Sequence, residues 1–395
     1  MGKILKLEYK KIGSKNDMKG REYQVCSNCV MDTTDSLIRF DERGFCDHCN
    51  NYYNNILPNW HPDETGKRQL DEIIKNIKQD GKGKKYDCII GLSGGADSSY
   101  LVYYAKKVMG LRPLVFVVDT GWSLNVAVEN IEKIVKGLDL DLYTEIIDWN
   151  EMKDLQLAFF KAQVPYADAP QDHAIFASLY NYAAKHGIKY VLTGANYLTE
   201  CVREPYEWVH LNDLRQIKDI HKKFGTRPLK TFPLCGMFKY RLYYRYFKGM
   251  KIVHPLNLIP YKKEDALSLL EDKFGWERYA NKHFESIFTR FYEGYWLVKK
   301  FGYDKRRAHF SSLILTGEMT RKEALKKLTE PPYNEELAMQ DLEYVAKKLG
   351  LTKEEFIEMM NCENKTYRDY KSNTWLLKTA IKLAIMVGFE KRQFR

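Results

Sequence analysis

The run Cys88-Ile89-Ile90-Gly91-Leu92-Ser93-Gly94-Gly95-Ala96-Asp97-Ser98-Ser99 decides the fold. An apolar strand ends in a glycine pair, and a helix begins at once. Such a turn leaves several backbone N–H groups pointing at one spot, with the positive end of a helix dipole behind them. Phosphate suits that spot. Gly94 and Gly95 let the backbone approach it closely, and Ser93 and Ser98 offer hydroxyls. Asp97 either caps the helix or holds magnesium on bound phosphates. The lysine of the Walker loop is missing, so this is a different kind of nucleotide loop.

Around this run strands and helices alternate. Residues 86–92, 114–118, 142–147 and 189–193 read as strands, and 98–108, 126–137, 151–162 and 174–186 as helices. An earlier helix, 67–79, places Leu70, Ile73, Ile74 and Ile77 on one face. The order predicts an α/β fold with a doubly wound parallel sheet and helices on both sides. Ligands of such sheets sit at the carboxyl ends of the strands. Ser93, Asp119 and Gly194 all lie just past strand ends, so one crevice can hold all three. Asp119-Thr120-Gly121-Trp122 and Thr193-Gly194-Ala195-Asn196 are either nucleotide-contacting turns or ordinary capped turns. From about 205 to 260 the pattern breaks, with prolines among aromatic and basic residues. Beyond 262 the chain reads as helical, and Thr320-x-x-Glu323 and Thr352-x-x-Glu355 have the form of capping boxes. The expected division is 1–65, 66–260 and a helical 261–395. Residues 1–22 are basic and polar and read as a flexible or edge segment.

The chain has 395 residues, 45% hydrophobic and 29% charged, the composition of a soluble globular protein. No apolar stretch reaches the ~20 residues of a membrane span. No secretory signal is recognisable at the N-terminus, and the cytoplasm is the expected compartment. A net charge of +11 predicts anionic partners.

Eight cysteines are present. Four form Cys26-Ser27-Asn28-Cys29 and Cys46-Asp47-His48-Cys49, sixteen residues apart. That spacing fits a zinc ribbon, and four thiolates make a closed, structural site. An iron–sulfur cluster or unligated thiols are the alternatives. Cys88, Cys201, Cys235 and Cys362 are scattered. A glutaminase nucleophile is not among them: residue 2 is Gly, and Cys235 in Pro233-Leu234-Cys235-Gly236 lacks a Gly-x-Cys-x-Gly elbow.

In the second half, Arg290, Arg306 and Arg307 can clamp a carboxylate or diphosphate through paired bonds, and His309 can shuttle a proton. Arg203 and Lys282 join them as candidate substrate contacts. The competing reading is a solvated helix face with structural ion pairs. The apolar segment 375–387, beside the basic tail 391–395, either lies on a membrane surface or packs on its own domain or a partner.

Ser93-Gly94-Gly95-x-Asp97-Ser98 resembles the pyrophosphate loop of ATP pyrophosphatases, which split ATP between the α and β phosphates. More of the chain resembles a narrower family, the N-acetyl sugar amidotransferases of bacterial surface-polysaccharide and pseudaminic-acid biosynthesis. The likeness rests on Cys26-x-x-Cys29-Val30-Met31-Asp32-Thr33-Thr34-Asp35, Cys46-x-x-Cys49, the pyrophosphate loop, Thr193-Gly194-Ala195-Asn196 and Lys305-Arg306-Arg307-Ala308-His309. It implies conversion of an acetamido group, on an acidic or nucleotide-linked sugar, to acetamidino in lipopolysaccharide O-antigen or other surface-glycan synthesis. ATP, Mg2+ and Zn2+ are the implied cofactors, with Asp97 and Ser98 catalytic and Ser93, Gly94, Gly95, Asp119 and Gly194 around the nucleotide. The implied partners are a separate glutaminase and a cyclase-like, ammonia-channelling protein; no nucleic acid is expected. The rival is a tRNA-modifying enzyme, a thiolase or a lysidine-forming type, which also joins such loops to zinc ribbons. Sulfur-inserting relatives carry catalytic cysteines in the nucleotide domain. Residues 164–173 have none, which leaves Cys201 as the candidate.

Overall fold

A computed structural model describes residues 21–209, 213–279 and 285–376, with positions 379, 383 and 386 beyond them. The basic segment 1–20, Lys282, most of the apolar stretch 375–387 and the tail 391–395 lie outside the described residues.

Five strands form one sheet: β1 Cys88–Gly91, β2 Pro113–Asp119, β3 Leu142–Ile146, β4 Tyr190–Leu192 and β5 Lys251–Val253. Their order is β3-β2-β1-β4-β5, and every neighbouring pair is parallel. Ile89 stands opposite Leu114 on one side and Val191 on the other. The expected sheet is therefore present, with one strand more. β5 has three residues inside the proline-broken stretch, and its pairing with β4 is long-range, so no local period announces it.

Alternation along the strands divides the apolar residues between two faces. Cys88, Ile90, Leu92, Val115 and Leu192 pack with Leu70, Ile77, Leu101, Val102, Ile131, Ile134 and Leu270. Those partners come from helices Glu64–Asp80, Ala96–Tyr103, Asn125–Gly137 and Lys263–Phe274. Ile89, Leu114, Phe116 and Val191 face the other way, onto Leu179, Ala183 and Tyr244. Burial on both faces explains why β1 and β2 read as unbroken apolar runs. β3 is an edge strand, and Ile146 is 75% exposed.

A third core joins the cysteine segment to the C-terminal helices. Cys26, Cys29, Met31 and Ile38 share it with Met152, Leu155, Phe159 and Phe160, and with Phe288, Tyr292, Trp296, Leu342 and Phe356. Helix Trp149–Lys161 is the common wall: the Phe160 ring lies 4.6 Å from Trp296 and 4.9 Å from Phe356. Both expected capping boxes form, at Thr320 with Glu323 and at Thr352 with Glu355. No described helix is long and apolar enough to cross a membrane.

Candidate functional site

β1 and β4 are where the strand order reverses, the position at which open parallel sheets leave a crevice. The loop after β1 is folded tightly on itself. Gly94 has φ +85°, and a Cβ there would stand 2.8 Å from the Ala127 carbonyl oxygen. Gly95 N–H donates to Ser93 Oγ at 3.2 Å, and Ser98 Oγ donates to the Gly95 carbonyl at 3.1 Å. The two serine hydroxyls are 3.2 Å apart. Tyr279 Oη donates to the Gly94 carbonyl at 3.1 Å. Helix Ala96–Tyr103 begins immediately beyond, with no side-chain cap.

Asp97 therefore does not cap this helix. One carboxylate oxygen accepts a hydrogen bond from Tyr261 Oη, and burial together with this carboxylate pushes the Tyr261 phenol well above its usual range. Gly194, after β4, lies against the same loop. A Cβ on it would meet the Asp97 carbonyl carbon at 2.9 Å and the Ser98 nitrogen at 3.0 Å. The structure thus brings Ser93, Gly94, Gly95, Asp97, Ser98 and Gly194 together. Asp119 ends β2, and its Oδ1 accepts from Gly121 N–H at 2.8 Å, a turn cap. Glu285 reaches the loop from the C-terminal module. Its Oε1 is 3.2 Å from where a Gly95 Cβ would be, and its carbonyl accepts from Leu124 N–H at 2.9 Å.

Clustered serine hydroxyls at a helix N-terminus, without a capping side chain in the way, fit the phosphates of a nucleotide. Asp97 and Glu285 are the carboxylates that would hold an accompanying Mg2+, whose charge would offset that of the phosphates.

The four cysteines are buried together. Cys26 Sγ lies 3.7 Å from Cys49 Sγ, and Cys46 Sγ lies 3.6 Å from both Cys29 and Cys49. Four sulfurs at ~2.3 Å from a tetrahedral zinc stand about 3.8 Å apart, so the donor set fits that ion. Backbone N–H groups of Asn28 and Cys29 donate to Cys26 Sγ at 3.4 Å, and Met31 N–H to Cys29 Sγ at 3.4 Å. His48 takes no part; its Nε2 pairs with Asp35 at 2.8 Å. The ribbon is tied to the C-terminal module by Arg321, which donates to the carbonyls of Cys26 at 2.8 Å and Cys29 at 3.0 Å.

The expected substrate arginines are each paired within this chain. Arg290 makes a two-pronged pair with Asp341, at 2.7 and 2.6 Å. Arg306 pairs with Asp304 at 2.7 Å and donates to the carbonyls of Lys327 and Glu330. Arg307 pairs with Asp32 at 3.1 Å and donates to the Val30 carbonyl at 2.9 Å, fastening the ribbon. The reason is geometric: each fork meets a nearby carboxylate or carbonyl of this chain. Pairs of this kind are what the competing reading describes. His309 Nδ1 is 3.3 Å from the Thr199 carbonyl, beside the helix that follows β4. Arg203 is exposed and lies next to Glu204 in sequence.

Three of the scattered cysteines, Cys88, Cys201 and Cys235, are poor thiolates. Burial pushes Cys201 up to about 12, and raises Cys88 and Cys235 as well. Sequence reasoning missed Tyr261, Tyr279 and Glu285, each brought to the loop from a distant part of the chain. It also passed over Asp168 and Asp172, of which Asp168 accepts from Thr289 of the C-terminal module. The spacing of Asp168 and Asp172, four residues apart at a helix start, was the available signal.

Residues 285–383 match the family described as LPS biosynthesis protein WbpG-like, C-terminal domain. Across 323 residues the chain is 22% identical to an uncharacterized protein of Methanocaldococcus jannaschii, over 79% of this chain and 95% of that one. Across 133 residues it is 30% identical to a component of the glutamine-hydrolyzing GMP synthase of Archaeoglobus fulgidus, over 32% of this chain and 40% of the relative. Among solved structures it is similar to the NH3-dependent NAD synthetase of Campylobacter jejuni, at 21% identity and a TM-score of 0.25, over 33% of this chain and 57% of that one. It is also similar to the NMN synthetase of Francisella tularensis, at 16% identity and a TM-score of 0.27, over 54% of this chain and 88% of that one.

Proposed function

We propose that this chain is an ATP-dependent amidotransferase that converts the acetamido group of an acidic or nucleotide-linked sugar to acetamidino in surface-glycan synthesis. The observation that carries the reading is the closed loop Ser93–Ser98 at the sheet's reversal point, joined to a segment matching a WbpG-like C-terminal domain. An amide carbon is a poor electrophile. Its oxygen attacks the α-phosphorus of ATP, pyrophosphate leaves, and the oxygen becomes part of an AMP leaving group. Ammonia then attacks the carbon, the C–O bond breaks, AMP departs, and loss of a proton from nitrogen leaves the amidine.

The residues have separate tasks in this scheme. Ser93, Ser98 and the N-terminal N–H groups of the helix bind the departing pyrophosphate. Asp97, oriented by Tyr261, and Glu285 would hold the Mg2+ that accompanies it. Water must be kept out, since it would return the activated amide to the start. Zinc in the ribbon is structural in this scheme and takes no part in the chemistry. Ammonia comes from a separate glutaminase, through a cyclase-like channelling partner. The basic balance of the chain suits an anionic sugar. The raised Cys201 thiol counts against a sulfur-transfer role.

The test is mass spectrometry of acetamido sugars, free and nucleotide-linked, after incubation with ATP, magnesium and ammonium. The expected product is lighter by the difference between O and NH, formed in equal amount with AMP. ADP in place of AMP refutes the loop assignment. AMP release driven by tRNA, with no sugar modified, supports the rival.

A further inference from the structure

The net charge of the chain is carried by one segment. Residues 220–263 hold eleven Lys and Arg and no Asp or Glu, which leaves 52 Lys and Arg against 52 Asp and Glu in the rest of the chain. Inside this segment, before β5, lies helix Lys239–Phe247, with i→i+5 hydrogen bonds such as Lys248 N–H to the Tyr243 carbonyl at 3.0 Å. Residues four and five apart share a face of such a helix. Tyr240 and Tyr244 face inward. The Tyr240 ring lies 5.0 Å from Tyr180, and Tyr244 is buried in the core that holds Ile89 and Phe116. Phe238, Leu242 and Phe247 then form a row on the outer face.

That row is bare. Phe247 is 81% exposed, Tyr246 79% and Phe238 63%, and Leu242 and Tyr243 are exposed as well. Cations flank it. Arg241 and Arg245 are exposed and have no hydrogen-bond or ion-pair partner among the described residues. Lys248 Nζ lies over the Tyr243 ring, 5.7 Å from its centroid. Contiguous apolar surface of this kind marks a site for a partner or a membrane. Lys248 stands three residues before β5, at the amino end of the sheet. The nucleotide loop follows the carboxyl end of β1, and the strands run the same way. The end of the row at Phe247 therefore lies away from the nucleotide crevice.

We propose that helix Lys239–Phe247 docks the protein on an anionic phospholipid surface. The chemistry of the patch selects that partner. Phe238, Leu242 and Phe247 have no polar side-chain atom, and suit the boundary between headgroups and acyl chains. Tyr243 and Tyr246 join an apolar body to a polar tip, which suits the headgroup level. Arg241, Arg245 and Lys248 would meet the lipid phosphates. A two-fold contact with a second copy would set this surface against itself, and residues 220–263 have no carboxylate to meet the arginines there. RNA would meet the cations and stack on the aromatic rings, but it offers the row of Phe238, Leu242 and Phe247 no apolar medium.

The experiment sediments the full chain with vesicles of phosphatidylcholine alone, and of phosphatidylcholine and phosphatidylglycerol in equal parts, at low and at physiological salt. The wild type is expected to bind the mixed vesicles and not the neutral ones. Each cation near such a surface is worth roughly fivefold in affinity, so the triple variant Arg241→Gln, Arg245→Gln, Lys248→Gln is expected to bind about 100-fold more weakly. The double variant Tyr246→Ser, Phe247→Ser keeps the cations and is expected to bind at low salt only. Both variants should retain the wild-type circular dichroism and Mg·ATP affinity, because the changed side chains are exposed. A wild type that ignores the mixed vesicles overturns the proposal. So does equal binding to the two kinds of vesicle, or undiminished binding by the folded variants. A dimer that the double variant loses, without lipid binding, assigns the patch to a second copy. Binding of single-stranded RNA that the triple variant loses, without lipid binding, assigns it to nucleic acid. Either result overturns the proposal.

Discussion

Adding one methyl group at Gly194 should separate the two loops that make the nucleotide site. The new Cβ would stand 2.9 Å from the Asp97 carbonyl carbon, 3.0 Å from the Ser98 nitrogen and 3.1 Å from the Asp97 oxygen. Carbon atoms in good contact sit ~3.5–4.0 Å apart, so the loops must part by roughly half an ångström or more. The clashing atoms are backbone and have no rotamer to change. Overpacking of this kind costs about 1–3 kcal/mol, and here the relief moves Asp97 and Ser98, the groups proposed to face the phosphates. Gly194→Ala is therefore expected to weaken Mg·ATP binding by ~10–100-fold, at about 1.36 kcal/mol per factor of ten. Isothermal titration calorimetry measures this directly and needs no knowledge of the sugar. Circular dichroism should show the fold retained, because the sheet residues on either side are untouched. Wild-type affinity in a folded Gly194→Ala protein would refute the placement of ATP between these loops.

Other outcomes follow from the same geometry. Freshly purified protein should carry one zinc per chain, and Cys49→Ser should lose it and loosen the contacts of Arg321 with the ribbon; metal analysis well below one equivalent contradicts the ribbon. Arg290→Met should cost roughly 3–5 kcal/mol by leaving Asp341 buried and unpaired, with much of it recovered in the double variant with Asp341→Leu. Denaturant melts check this, and a change in substrate KM without a change in stability would restore Arg290 as a substrate contact. The pH dependence of stability has a defined sign. Burial, with Asp172 and Glu293 nearby, raises Asp168, and burial raises Asp172. The folded chain then binds these protons more tightly than the unfolded one. Their contribution is fullest below about pH 4, and is lost as pH rises from the unfolded value of ~3.9 through the folded one. Asp168→Asn should flatten that decline in urea melts taken across mildly acid to neutral pH; an unchanged slope refutes the raised carboxyl.

The order of strand, Gly-rich turn and helix was legible because each is a local matter. Ile89 and Ile90 are buried on both faces of a parallel sheet, so they read as a continuous apolar run. Gly94 is demanded by a positive φ, and Cys26, Cys29, Cys46 and Cys49 converge within reach of one ion. Spacing alone carries such information. The arginines were legible only as cations. Whether a guanidinium clamps a substrate or a neighbouring carboxylate depends on what lies within reach, and Asp341 is 51 residues from Arg290.

The sequence by itself determined the Gly-rich turn, the parallel sheet and the four-cysteine set, because period, glycine and cysteine spacing act over a few residues. The tertiary structure decided what surrounds them. It brought Tyr261, Tyr279 and Glu285 onto the loop, set Gly194 against Asp97, and joined Asp168 to Thr289. Those contacts are made by packing between distant segments, where the energy lies in burial and pairing of charges and leaves no local period in the chain.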